Sequence, residues 1–93
     1  MASLWHLQQK RDRLKREIGE NLELLIGTVS TKGPSRTGHN LTWKDKSQVT
    51  RTRHIRKGLL ARVRRMVERH RRVKRLLGEL SDTNWEILKQ ETR

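Results

Sequence analysis

Apolar residues recur along the start of the chain at Leu4, Leu7, Leu14, Ile18 and Leu25, with Arg11 at the missing place. This 3-4 rhythm predicts an amphipathic helix over residues 3–26 with a coiled-coil-like stripe. Leu22 and Ile26 widen the stripe near its end. Lys10, Arg13, Lys15, Arg16 and Glu17 take the opposite face. Ser3 suits the N-cap and Gly27 the stop. A second rhythm starts near Arg56. Leu60, Val63, Val67, His70, Leu77 and Leu80 share one stripe, broken by Lys74, with Val73 and Leu76 beside it. Asn84, Ile87 and Leu88 continue the pattern. It predicts a long basic helix over residues 56–90, with SDTNWE as its weak point and a bend near 81–84 as the alternative to a continuous helix.

Residues 27–55 have a different character. TVSTKGPSRTGHN is small, polar and turn-rich, with the only proline, and reads as a short strand followed by a loop. HNLTWK and VTRTRHI are β-prone runs separated by DKSQ, which predicts a β-hairpin. Pairing Lys44 with Val49 puts Leu41, Trp43, Thr50, Thr52 and His54 on one face. Thr42, Lys44, Arg51 and Arg53 then share the other. Thr28, Val29 and Ser30 are able to add a third strand. The expected fold class is mainly α: two helices, the second long, in coiled-coil-like antiparallel packing, joined by a β-hairpin insertion. The whole, residues 1–93, is expected to form a single small domain.

Composition limits how such a chain holds together. Only 31% of the 93 residues are hydrophobic, and Phe, Tyr and Cys are absent. A chain this small buries a modest share of its surface and often relies on staples or partners. Without Cys there is neither a disulfide nor a thiolate metal site. No apolar run approaches a transmembrane span, and the N-terminus lacks the apolar run of a secretory signal. The expected location is the cytoplasm, and the expected source prokaryotic.

Charge changes the picture most. The formal net charge is +13, and 15 of the 23 basic residues are Arg. Residues 51–75 hold 12 Arg or Lys and one acid, Glu68. Like charges at i,i+3 and i,i+4 on a helix cost a few tenths of a kcal/mol each. A bound polyanion relieves that strain, and the first helix's Glu17, Glu20 and Glu23 can offset part of it. Guanidinium groups suit phosphate, guanine edges and base faces. The expected partner is therefore nucleic acid. Arg density, with no helix-turn-helix, zinc-finger or RNP motif, favours structured RNA slightly over duplex DNA.

The expected contacts are Arg51, Arg53, Arg56, Lys57, Arg62, Arg64, Arg65, Arg69, Arg71, Arg72 and Arg75, neutralising phosphates. Trp43 has two readings, a hairpin anchor on the long helix or a base-stacking platform. Trp5 and Trp85 read better as an end cluster or a partner interface than as base-stacking groups.

Catalysis finds little support. His6, His39, His54 and His70 show no metal-ligand spacing, and the carboxylates have basic neighbours that make ion pairs the simpler reading. GTVSTKGPSRTG lacks the order of a phosphate-binding loop. No enzyme activity, cofactor, metal, small-molecule substrate or membrane partner is expected. The thin core and apolar stripes leave a second class open: a protein-interaction subunit, either a homo-oligomer or an obligate subunit of a transposase or reverse transcriptase complex.

The segment 39–88, about half to two-thirds of the chain, carries LTW at 41–43, TRTRHI at 50–55 and RRVKRLLGELSDTN at 71–84. It resembles a family of short prokaryotic proteins, labelled a domain of unknown function, whose members often sit near transposases and other mobile elements. That family's pattern is an aromatic-Leu-Thr-aromatic strand, a turn, Thr-Arg-Thr-Arg-aromatic and a basic helix. The resemblance implies association with a mobile element or its nucleic acid, and no catalytic role. Many relatives carry a cysteine cluster before the first strand. This chain has KGPSRTG there, so a metal role does not carry over.

Overall fold

The computed structural model describes residues 3–31 and 38–91. Helix α1 (Leu4–Glu20) starts on Ser3, whose Oγ accepts from the His6 N–H at 3.2 Å. It stops short of Ile26. The Asn21 N–H donates to the Ile18 carbonyl, and Asn21 Nδ2 donates to the Glu17 carbonyl at 2.7 Å. Both bonds satisfy carbonyls that a helix end otherwise leaves open. Three strands follow: β1 (Thr28–Thr31), β2 (His39–Lys44) and β3 (Thr50–Ile55). Most of the predicted loop before β2 is residues 32–37, outside the described residues. A single 3-10 turn, Lys57–Leu59, leads into helix α2 (Leu60–Glu91), which runs through residues 81–84 without a break.

The architecture is therefore α+β. A mainly α pair of helices with a hairpin insertion is not what forms. The strands make one antiparallel sheet in the order β1-β2-β3, with Thr28 opposite Thr42 and Thr31 opposite His39. The reason is burial. With its single Val, TVST has little to recommend it alone, yet as a neighbour of β2 it supplies backbone hydrogen bonds and sets Val29 beside Leu41.

The chain divides into two compact units. One is Glu23–His70; the other combines the chain up to Leu22 with the chain from Arg71. In the first, Leu41, Ile55 and Val67 are buried, with Leu25, Val29, Trp43, Leu60 and Val63 packed against them. The 3-4 spaced residues Leu60, Val63 and Val67 thus cover one face of the sheet. The Leu25 N–H donates to the Met66 carbonyl at 3.1 Å, pinning the segment before β1 to α2. This use of Leu25 is incompatible with a helix reaching Ile26.

Gly27 is not a helix stop. It sits at φ +149, where a Cβ would lie 2.7 Å from the Thr42 carbonyl oxygen. Only glycine lets the chain pass so close to β2.

In the second unit the buried residues are Leu7 and Leu14 of α1 with Val73, Leu76, Thr83 and Ile87 of α2. Thr83 Oγ1 donates to the Glu79 carbonyl at 2.8 Å, so this buried hydroxyl is satisfied inside its own helix. The apolar stripes read from the sequence are only partly the buried set here: Leu7, Leu14 and Ile87 are buried as expected. Leu77 and Leu88 are half exposed, while Val73 and Leu76, which flank the stripe, are buried. No helix among the described residues is long and apolar enough to cross a membrane.

Candidate nucleic-acid interface

The hairpin is closed by a three-residue loop, Lys46, Ser47 and Gln48. The Asp45 N–H donates to the Val49 carbonyl at 3.0 Å, and the Gln48 N–H donates to the Asp45 carbonyl at 2.9 Å. Gln48 takes φ 63, the left-handed residue that ends a type I turn with a bulge. Asp45 Oδ1 accepts from the N–H groups of Ser47 and Val49, and Oδ2 accepts from Arg51 Nε at 2.8 Å. Arg51 first, then the Val49 amide and, more weakly, the Ser47 amide hold this carboxyl below its ordinary value of 3.8 against an opposing desolvation.

The loop moves the register by one residue from the one the sequence predicts. Lys44 lies opposite Thr50, Trp43 opposite Arg51, and Leu41 opposite Arg53. A one-residue slip exchanges the faces of a strand. Arg51 and Arg53 therefore share the face of Leu41 and Trp43, and Thr50, Thr52 and His54 join Thr42 and Lys44 on the other. The expected separation into an apolar face and a phosphate face of the hairpin is wrong. The Arg53 guanidinium carbon lies 5.8 Å from the Trp43 ring centroid, within cation–π range. Trp43 packs against the Leu41–Ile55–Val67 cluster with part of its ring exposed.

From β3 the chain turns into α2 through Arg56, whose extended backbone (φ −61, ψ 139) ends in no side-chain cap. Neither the 3-10 turn nor the first turn of α2 carries an acid. A helix start bears partial positive charge on its free N–H groups, and acids usually offset it. Here Arg56 and Lys57 add to it instead.

Along α2, Arg62, Arg65, Arg69 and Arg72 are spaced 3-4-3 and line one side of the helix; Arg64, Arg71 and Arg75 line another. All are exposed except Arg69, which is half-buried. Arg69 Nη1 donates to the Glu23 carbonyl at 3.1 Å and lies 4.0 Å from its carboxylate. It fastens the segment after α1 to α2. Arg51 and Arg53 likewise have intramolecular partners. Arg56, Lys57, Arg62, Arg64, Arg65, Arg72 and Arg75 have no carboxylate partner among the described residues. The predicted set thus contains two arginines beside carboxylates, Arg51 and Arg69, one against the Trp43 ring, Arg53, and a group of cations without a carboxylate partner among the described residues.

Sequence reasoning missed a groove of about 380 Å³ formed by Leu24, Leu25, Ile26, Leu41, Trp43 and Arg53. The signal was present in LELLIG, a run too apolar for the outer side of a helix ending at Gly27. Trp5 and Trp85, read as an end cluster or an interface, are each 62% exposed. Trp85, Leu77 and Leu88 border an open depression of about 590 Å³. Among the described residues no three His, Cys, Asp or Glu side chains converge to hold a metal ion.

No family model, curated protein or solved structure matches this chain.

Proposed function

We propose that this protein is a basic, non-enzymatic nucleic-acid-binding accessory protein. Its target is structured RNA, or the nucleoprotein assembly of a mobile element, and its location the cytoplasm. One observation carries the reading: Arg56, Lys57, Arg62, Arg64 and Arg65 stand exposed without carboxylate partners around an uncapped helix start. Arg72 and Arg75 continue the series along α2. Each phosphate neutralised adds about 0.7–0.9 to the slope of log affinity against log salt. Arg51 and Arg69 contribute less to that slope, because each already lies beside a carboxylate, Asp45 and Glu23. RNA is favoured over duplex DNA because the chain carries no groove-reading motif and shape and backbone contacts suffice.

The test is to purify the tagged protein with nuclease omitted and to sequence what accompanies it. One enriched RNA or element end supports a dedicated target. A mixture that tracks cellular abundance removes the dedicated target, and a preparation free of nucleic acid overturns the reading.

A second reading, a protein-interaction subunit, is favoured by one observation. Leu77, Trp85 and Leu88 expose 50%, 62% and 49% of their surface in a chain poor in apolar residues. Exposed patches of this kind often mark interfaces. The mass in solution at micromolar concentration separates a homo-oligomer from a monomer of 11.1 kDa.

A further inference from the structure

We propose that the groove beside Trp43 takes one unpaired nucleobase, so that the protein selects nucleic acid with an extruded or single-stranded base over a perfect duplex. This rests on the nucleic-acid reading and adds a specificity element to it.

The groove has the parts such a site needs. Its volume of about 380 Å³ falls within the range of about 300–1,000 Å³ typical of small-ligand clefts. Its walls are the Trp43 indole and the aliphatic side chains of Leu24, Leu25, Ile26 and Leu41, and no carboxylate among the described residues lines it. Ile26 is 58% exposed, so the apolar wall is open to solvent. A base has two apolar faces and a polar edge, and it stacks on indole irrespective of its identity.

Charge at the rim selects the occupant. Among the described residues the only charged one lining it is Arg53. Arg51 lies two residues along on the same face, opposite Trp43. An apolar peptide side chain would use the walls and leave Arg53 idle. A nucleotide uses both, with its base against Trp43 and its phosphate on Arg53. Guanidinium groups also stack on bases, so Arg53 can serve as a second plane. The single-residue register set by the Asp45 turn creates this arrangement. In the alternative register, Arg53 would point away from Trp43.

The experiment compares two RNA hairpins of equal length, one perfectly paired and one with a single bulged 2-aminopurine, across a salt series. The expected result is at least about fivefold tighter binding of the bulged hairpin, with quenched 2-aminopurine fluorescence, in line with the cost of removing one stacked base. In Trp43→Leu that excess collapses while the log–log salt slope, which counts phosphates, does not fall. In Arg53→Gln both the excess and the slope decrease. Circular dichroism of each variant establishes that the helices and sheet persist. Should Trp43→Leu not fold, Ile26→Asp, at an exposed wall position, replaces it and abolishes the excess. Equal affinity for the two hairpins overturns the pocket and leaves the polyanion reading standing. Binding of neither overturns both.

Discussion

Arg51 Nε donates to Asp45 Oδ2 at 2.8 Å across the turn that joins β2 to β3. The same carboxylate receives two backbone N–H groups of the turn, so one aspartate orders the loop and ties it to the edge strand. The relationship explains why the hairpin closes with three loop residues and not the four that DKSQ presents to a reader.

It also makes hairpin stability depend on pH. The Asp45 carboxyl is held below 3.8, principally by Arg51. Near and below that value the unfolded chain binds the proton more readily than the folded one. The contribution of the carboxylate is therefore complete above 3.8 and is lost as pH falls below it, through the folded-state value. The stability difference between the native chain and Asp45→Asn, measured by denaturant unfolding at several pH values, should shrink in that acidic window and stay constant through neutral pH.

Gln48 sits at φ 63, a conformation in which a side chain costs of order 1 kcal/mol relative to glycine. Gln48→Gly should stabilise the protein by about 1 kcal/mol, raising Tm by about 4–8 °C for a chain of this size. An unchanged or lower Tm would mean that the turn does not end on a left-handed residue.

Gly27 presents the opposite case. A Cβ there meets the Thr42 carbonyl oxygen at 2.7 Å and Leu41 Cδ1 at 2.8 Å. The backbone of a central strand cannot move aside cheaply. Gly27→Ala should cost about 2 kcal/mol or more, read as a lower denaturation midpoint.

Leu76 and Leu77 are adjacent and chemically identical. Leu76 is 4% exposed and Leu77 is 50% exposed. Leu76→Ala should destabilise by about 2–4 kcal/mol, as in other buried leucine truncations, and Leu77→Ala by about 0.5 kcal/mol or less. Equal effects would place both residues under cover.

Arg65 and Arg69 separate binding from folding. Arg65→Gln should leave the unfolding midpoint unchanged and reduce the log–log salt slope for RNA by about 0.7–0.9. Arg69→Gln should lower the midpoint, because it removes a donor from the Glu23 carbonyl. Urea unfolding and filter binding on both variants check this.

Much of the secondary structure was legible from residue patterns. The spacing Leu60–Val63–Val67 marks the helix face that covers the sheet, and Ser3 marks the start of α1. The basic cluster at residues 51–75 was visible from composition alone. Less legible were the strand register, the third strand and the choice between two stripes on α2. Register depended on Gln48 accepting a left-handed conformation, which no residue pattern announces. The third strand depended on β2 being there to pair with TVST. Within the candidate site, sequence placed Arg51 and Arg53 on a strand and Arg62 to Arg75 on the long helix, but it put the extended Arg56 in that helix and could not sort arginines with internal partners from those without, because Glu23 and Arg69 are 46 residues apart.

The sequence by itself determined that two helices and a hairpin arise and how much charge they carry, since periodicity, capping and composition are local properties. The tertiary structure alone decided the faces. Leu25 left the first helix to bond Met66, Leu77 yielded burial to Leu76, and Arg53 came to rest beside Trp43. The physical reason is common to all three. An apolar stripe or an alternating strand states only that some face will be covered; which one depends on partners distant in sequence, and on a turn that counts residues one way and not the other.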